Sequence, residues 1–166
     1  MSDVFIVSGV GCGETTLSAF DAALAEAGIH NFNLIKVSSI LPRGWGIKRA
    51  GPYQAGPDQY GLRLYVVMAE IRTDRVGTTI GAGLGWYQAE DGRGLFAEHV
   101  DQIEGSGTAE VERSVTSKVR ATLRDLCAIR EWPFLEDKLR CLTVSSAVDG
   151  KPACVLAAGV YCAEPF

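Results

Sequence analysis

The apolar positions of this chain follow two rhythms. Short stretches run unbroken or alternate with polar residues, as strands do, and two longer stretches repeat every three or four residues, as helices do. DVFIVSG at residues 3–9 predicts a first strand followed by a turn, GVGCGE. A helix is expected from about Thr15 to Ala27, stopped by Gly28. A second strand is expected over 32–41. The Pro- and Gly-dense stretch 42–57 reads as a loop. Three more strands follow at about 60–72, 77–88 and 93–100. Val111, Val115, Val119, Leu123 and Leu126 recur at helical spacing and predict a long helix over 108–130, with Arg113, Lys118, Arg120 and Arg124 between them. Strands at 139–148 and 152–162 are expected to close the chain as a hairpin around Asp149-Gly150. Many strands and two helices without strict alternation predict an α+β sandwich. Neither an internal repeat nor a linker divides the chain, so one domain over 1–166 is expected.

Composition narrows the function classes. At 166 residues the chain can bury a substantial core, and 47% of its residues are hydrophobic. Sixteen basic against 20 acidic residues, a net charge of −4, provide no cationic footprint for nucleic acid or an anionic membrane. The opening MSDVFIVSGVGCG carries an early Asp3 and an apolar run too short for a signal peptide or a span. With no secretory signal, the five cysteines, odd in number and without CxxC spacing, predict reduced thiols in a cytoplasmic protein. His30 and His99 lack ligand-like spacing to them, so no metal site is expected.

Several positions invite chemistry. Gly9-Val10-Gly11-Cys12-Gly13-Glu14 lies where phosphate loops occur. It lacks a Lys-Ser/Thr pair, and Glu14 stands where a third glycine would be needed. It therefore reads as a tight turn capped by Thr15 or Thr16. Asp21 falls on the stripe marked by Leu17, Phe20 and Leu24, where a carboxylate needs a partner. That partner is either the protein's own backbone or an Arg, or a cationic ligand. Glu98 shares a strand face with Phe96 and Val100 and reads either as a proton donor in apolar surroundings or as an exposed strand-end residue. His99, on the opposite face, reads as a surface or satisfied histidine. Ser38-Ser39 sits in the apolar run NLIKVSSILP, although serine is a poor strand former and a poor core residue. The Ser39 hydroxyl can attack the Ser38 carbonyl, exchange the peptide for an ester and, after elimination and hydrolysis, leave residue 39 as a pyruvoyl group. Ser145-Ser146, beside the expected hairpin turn, shows that adjacent serines alone establish nothing.

The surroundings of Ser38-Ser39 are more specific. GETTLSAFDAALAEAGIHNFNLIKVSSILP, residues 13–42, resembles the pyruvoyl-dependent arginine decarboxylases, which show GETxLxAFDxAL, then AGIxNxNLI, then a hydroxyl residue, Ser and IxP. GLFAEH at 94–99 and the closing ACVLAAGVY at 153–161 resemble later segments of that family. The resemblance implies a four-layer αββα sandwich, two mainly antiparallel sheets flanked by helices. It also implies cleavage between Ser38 and Ser39 into a β chain of residues 1–38 and an α chain of residues 39–166, with a covalent pyruvoyl cofactor derived from Ser39. Asn33 matches the residue that assists processing, Asp21 the carboxylate that takes a guanidinium, Leu24 an apolar wall and Glu98 the proton donor. The implied reaction converts L-arginine to agmatine and CO2 through a Schiff base. The implied assembly is a trimer of αβ units or a dimer of trimers, with active sites between subunits. The same chemistry on another amino acid, and an uncleaved trimeric binding or structural protein, are the alternatives.

Overall fold

The computed structural model describes residues 2–49 and 51–166; Met1 and Ala50, the latter inside the expected loop, lie outside the described residues. The elements are β1 (Asp3–Cys12), α1 (Thr16–Ala27), β2 (Asn33–Lys36), β3 (Ile40–Leu41), β4 (Gly46–Arg49), β5 (Arg63–Thr73), β6 (Thr78–Gln88), β7 (Gly94–Glu104), α2 (Thr108–Ile129), β8 (Arg140–Ala147) and β9 (Ala153–Glu164). One sheet has the order β2-β5-β9-β1-β4 and the other β3-β7-β6-β8. The second is antiparallel throughout, whereas β2 and β4, at the edges of the first, run parallel to their neighbours.

Alternation along the strands builds the layers. Val7, Val66 and Leu156 turn one face of the five-stranded sheet to Ala19, Ala23, Leu24 and Ala27 of α1. Val4, Ile6 and Val67 turn the other face to Leu84, Trp86 and Phe96 of the four-stranded sheet. Tyr87, Leu95 and Ala97 on the far side of that second sheet meet Val111, Val115, Val119 and Leu123 of α2. The order is therefore helix, sheet, sheet, helix: the four-layer sandwich.

Three expectations change. The glycine-rich turn is strand: β1 runs on to Cys12, and Gly9 and Gly11 face α1. A Cβ at Gly9 would strike the Ala23 carbonyl, and one at Gly11 the Ala19 carbonyl, so these glycines let the helix backbone press onto the strand. The same device recurs on the other side, where Gly81, Gly83 and Gly85 of β6 face Val111, Val115 and Val119 of α2. Replacing Gly11 by alanine forces α1 outward against backbone rather than a yielding side chain. We expect a loss of about 3 kcal/mol in chemical denaturation.

The expected loop over 42–57 contains β4, which pairs with β1 in parallel (Asp3↔Gly46 to Ile6↔Arg49). Its short run between glycines and prolines hid it. The closing hairpin does not form either. β8 pairs with β6 in one sheet, while β9 lies between β5 and β1 in the other. Asp149-Gly150 carries the chain between sheets, because β9, buried on both faces from Ala153 to Val160, belongs at a sheet centre. β8, partly buried along most of its length, suits an edge.

Candidate active site

The expected strand over 32–41 is in fact two strands in two sheets, with the serine pair between them. β2 follows β5 as far as Lys36, and the Val37 N–H donates to the Val66 carbonyl at 3.0 Å, its last bond to that sheet. The chain then crosses. The Phe96 N–H donates to the Ser39 carbonyl at 2.9 Å, and Ile40 and Leu41 pair with Leu95 and Gly94 of β7. Sheets pack roughly 10 Å apart, so a chain that changes sheets must leave one ladder before joining the next. Polar Ser38 and Ser39 occupy that gap, which accounts for two hydroxyls in an otherwise apolar run.

The crossing is tightly held. The Ile40 N–H donates back to the Ser38 carbonyl at 2.8 Å, closing a three-residue turn centred on Ser39. The Ser39 Oγ donates to Glu98 Oε1 at 2.5 Å. Ser38 is exposed, while Ser39 and Glu98 are half-buried. Glu98 is fixed by β7, where it pairs with Leu84 of β6. By alternation it shares the face of Phe96, which is buried between the sheets.

On its other edge, β7 is covered by β3 only over Gly94 and Leu95, so an open pocket of about 580 Å³ forms there. Ser38, Ser39, Glu98, His99, Thr122 and Arg130 are among its walls. The His99 Nε2 lies 2.7 Å from Thr122 Oγ1 of α2, as a satisfied histidine should. Burial, and to a lesser extent the Lys118 ammonium, push its pKa below the ordinary value against the pull of Glu98, which favours the neutral ring.

The remaining sequence candidates gather elsewhere. Asp21, Leu24 and Asn33 line a second pocket of about 470 Å³ on the α1 side. It shares no residue with the Ser39 pocket. The expected burial of Asp21 is not observed. The inward stripe of α1 is Ala19, Ala23, Leu24 and Ala27; Asp21 is exposed and Leu17 is 68% exposed. The small alanines meet the glycines of β1, and that close approach turns the larger residues to the rim. Asn33 Nδ2 donates to the Gly61 carbonyl at 2.7 Å, so within one chain its amide does not reach the Ser38 carbonyl.

The chemistry of this second pocket is nonetheless specific. Arg72 bonds Glu70 at 2.9 Å and lies over the Phe20 ring at 4.3 Å. Among the described residues Asp21 has no such partner, and its carboxylate stands beside Phe20, Leu24 and Phe32. Lys36 and His30 share the same walls.

One residue at the site went unmarked. The Tyr161 hydroxyl donates to the Ile40 carbonyl at 2.9 Å, next to the serine pair. Its only sequence signal is a lone aromatic ring at the end of the small-residue run ACVLAAGVY.

Comparisons with known proteins converge. The family model described as "Pyruvoyl-dependent arginine decarboxylase (PvlArgDC)" matches residues 3–165. A pyruvoyl-dependent arginine decarboxylase of Halobacterium salinarum is 32% identical over 99% of this chain and 98% of its own length. One from Pyrococcus abyssi is 34% identical over 89% of this chain and 87% of its own length. One from Thermoplasma volcanium is 30% identical over 83% and 80%.

Proposed function

The chain belongs to the pyruvoyl-dependent arginine decarboxylase family, and from that premise we propose that it cuts itself between Ser38 and Ser39 and then decarboxylates L-arginine to agmatine. The observation that carries the proposal is the Ser39 Oγ on Glu98 at 2.5 Å, in a turn whose Ser38 carbonyl is already gripped by an N–H.

The cut proceeds on the chain's own atoms. Ser39 Oγ attacks the Ser38 carbonyl carbon, the C–O bond forms, and the hydroxyl proton is lost. The carbonyl oxygen takes the electron pair and returns it as the C–N bond breaks, and the freed nitrogen takes a proton. Loss of the residue 39 α-proton then expels the Ser38 carboxylate from Cβ. Tautomerisation and hydrolysis release ammonia and leave a ketone at residue 39.

The surroundings of residue 39 suit such a group: its carbonyl is held by the Phe96 N–H, Glu98 stands beside it, and a pocket opens from it. When formed, the pyruvoyl group supplies an electrophilic ketone and an electron sink for the departing CO2. Glu98 Oε1 delivers the proton that replaces CO2 on the substrate's α-carbon. Asp21 accepts the guanidinium, and Leu24 packs on the methylenes that precede it. Because Asp21, Leu24 and Asn33 lie in a pocket separate from Ser39, we assign them to the neighbouring copy's reaction site. A site between subunits, in a trimer or a dimer of trimers, unites the two half-pockets, and there Asn33 assists the cleavage of the neighbour.

Intact mass of the mature protein tests this directly. Fragments of 38 and 128 residues are expected, the larger lacking a free amino terminus. A single full-length chain that releases no CO2 from arginine would point instead to an uncleaved binding protein. CO2 release from arginine against lysine, ornithine and histidine tests the substrate. Replacing Asp21 with alanine should raise the KM for arginine roughly 10- to 100-fold, as expected for losing a charge-assisted contact, and leave cleavage intact. An unchanged KM removes Asp21 from the guanidinium site.

A further inference from the structure

Among the described residues, four hydrogen bonds hold residues 38–40. Ile40 N–H grips the Ser38 carbonyl at 2.8 Å and Phe96 N–H grips the Ser39 carbonyl at 2.9 Å; both are backbone bonds. Ser39 Oγ meets Glu98 at 2.5 Å. The fourth is the Tyr161 hydroxyl on the Ile40 carbonyl at 2.9 Å, and no role in the proposed chemistry yet accounts for it.

We propose that Tyr161 is a positioning residue for self-cleavage: by holding the Ile40 carbonyl it fixes the turn in which the Ile40 N–H stabilises the oxygen of the attacked Ser38 carbonyl. This rests on the reading of Ser38-Ser39 as a self-cleaving bond.

Two observations carry it. The first is rigidity. Peptide units are planar, so Phe96 fixes the plane containing the Ser39 carbonyl and the Ile40 N–H, and Tyr161 fixes the next plane. With both planes held, Ile40 keeps its N–H on the Ser38 oxygen while that oxygen gains negative charge. An N–H aimed at developing charge, with no reorganisation required, is what an oxyanion donor provides.

The second is the irregularity that aims Tyr161. β9 pairs Cys162 with Tyr65 of β5 and then Val160 with Val66, so Tyr161 is the extra residue of a bulge. Bulges re-aim a side chain and recur beside active sites. Here the ring is turned into the core between the sheets. It packs 5.8 Å from Trp45 and 6.2 Å from Phe96, centroid to centroid, while the hydroxyl's own anchor is the bond to the Ile40 carbonyl. Burial first, and then the Glu98 carboxylate, push the phenol pKa up, so the hydroxyl remains a donor throughout the working pH range.

The covalent step is the attack of Ser39 Oγ on the Ser38 carbonyl carbon. The Ser38 carbonyl oxygen takes the electron pair as the Oγ–C bond forms and returns it as the C–N bond breaks, with the proton passing to the nitrogen of residue 39. Tyr161 touches none of those atoms and acts through Ile40.

The test follows cleavage of newly synthesised chains on denaturing gels, in the wild type, in Tyr161→Phe and in Trp45→Phe. Tyr161→Phe keeps the ring and loses only the hydroxyl. Its cleavage should be about tenfold slower, the worth of one hydrogen bond, with its thermal midpoint close to that of the wild type. Trp45→Phe, which disturbs the packing but not the hydroxyl, should cleave at the wild-type rate. Hydroxylamine, which cuts any ester that accumulates, should not accelerate Tyr161→Phe, because ester formation is the slowed step. If Tyr161→Phe matches the wild type, if hydroxylamine restores its rate, or if Trp45→Phe is slowed equally, the positioning role is overturned. If Tyr161→Phe does not fold, Tyr161→Trp, which returns a ring with a donor N–H, decides. Cleavage by that variant is the expected result, and a folded, uncleaved Tyr161→Trp overturns the role. A wild-type chain that never cleaves instead defeats the self-cleavage reading itself, leaving a different result on the same gel.

Discussion

Ser39→Ala is expected to leave one uncleaved chain of 166 residues and to reduce arginine decarboxylation to background. Removing Oγ removes both the nucleophile for the cut and the atom chemistry from which the ketone arises. No other side chain can supply an equivalent electron sink, so the whole enzymatic acceleration disappears, a fall of about 10⁶-fold or more. The fold should survive, because among the described residues Oγ bonds only Glu98, in a half-buried position. Ser38→Ala is the contrasting variant. Ser38 contributes its main-chain carbonyl, which alanine retains, and its side chain is exposed. That protein should still yield the two fragments and retain activity. Intact mass and CO2 release, measured on both variants, separate the two serines. Fragments from Ser39→Ala would assign the cut to another nucleophile.

Ser39 and Glu98, which the fold brings within a hydrogen bond of each other, were easier to read from sequence than the frame around them, for a physical reason. Ser39 and Glu98 could be singled out because polar groups among apolar neighbours are costly, and that cost is visible in one dimension. The break between β2 and β3 is not visible there: NLIKVSSILP is apolar enough to read as one strand, and only the second sheet, about 10 Å away, makes it two. The false hairpin at Asp149-Gly150 arose similarly. A good turn between two strand-like runs says nothing of which sheet each run joins.

Of the expected stripe, Leu24 faces inward and Phe20 packs at the edge of the core, while Leu17 is turned out. The inward face of α1 is set by what β1 offers it, and two glycines there accept alanines and the helix backbone, not Leu17. Tyr161 was hidden because its aim depends on a bulge, and a bulge is a matter of pairing register between β9 and β5. Asp21 stands exposed and not on the buried stripe, and Asn33 is singled out by the resemblance alone. Their separation from Ser39 is legible only once the layers are built, since α1 packs on the sheet that contains β2, whereas Glu98 lies on β7 of the other sheet.

Glu98→Gln is the second large effect, and it divides the two reactions that share this carboxylate. The amide oxygen of glutamine can still accept the Ser39 hydroxyl, so the turn should hold and the chain should still be cut into two fragments. What glutamine cannot do is deliver a proton. Removing a positioned general acid typically costs about 10²- to 10⁴-fold, and the loss should fall on kcat, because no contact to the guanidinium has changed. The KM for arginine should therefore stay within about threefold of the wild type under the same reasoning. Measuring fragments and steady-state kinetics on one preparation makes the separation clean. An uncleaved Glu98→Gln protein would make the carboxylate a requirement for the cut, by accepting the proton of Ser39 rather than merely holding its hydroxyl. A cleaved protein with undiminished kcat would move the proton donor to another group of the same pocket, whose walls include Ser38, His99 and Thr122. Of these, His99 is already bonded to Thr122 and pushed toward its neutral form. On the proposed reaction, that leaves Glu98, bonded to Ser39 Oγ at 2.5 Å, as the group to test first.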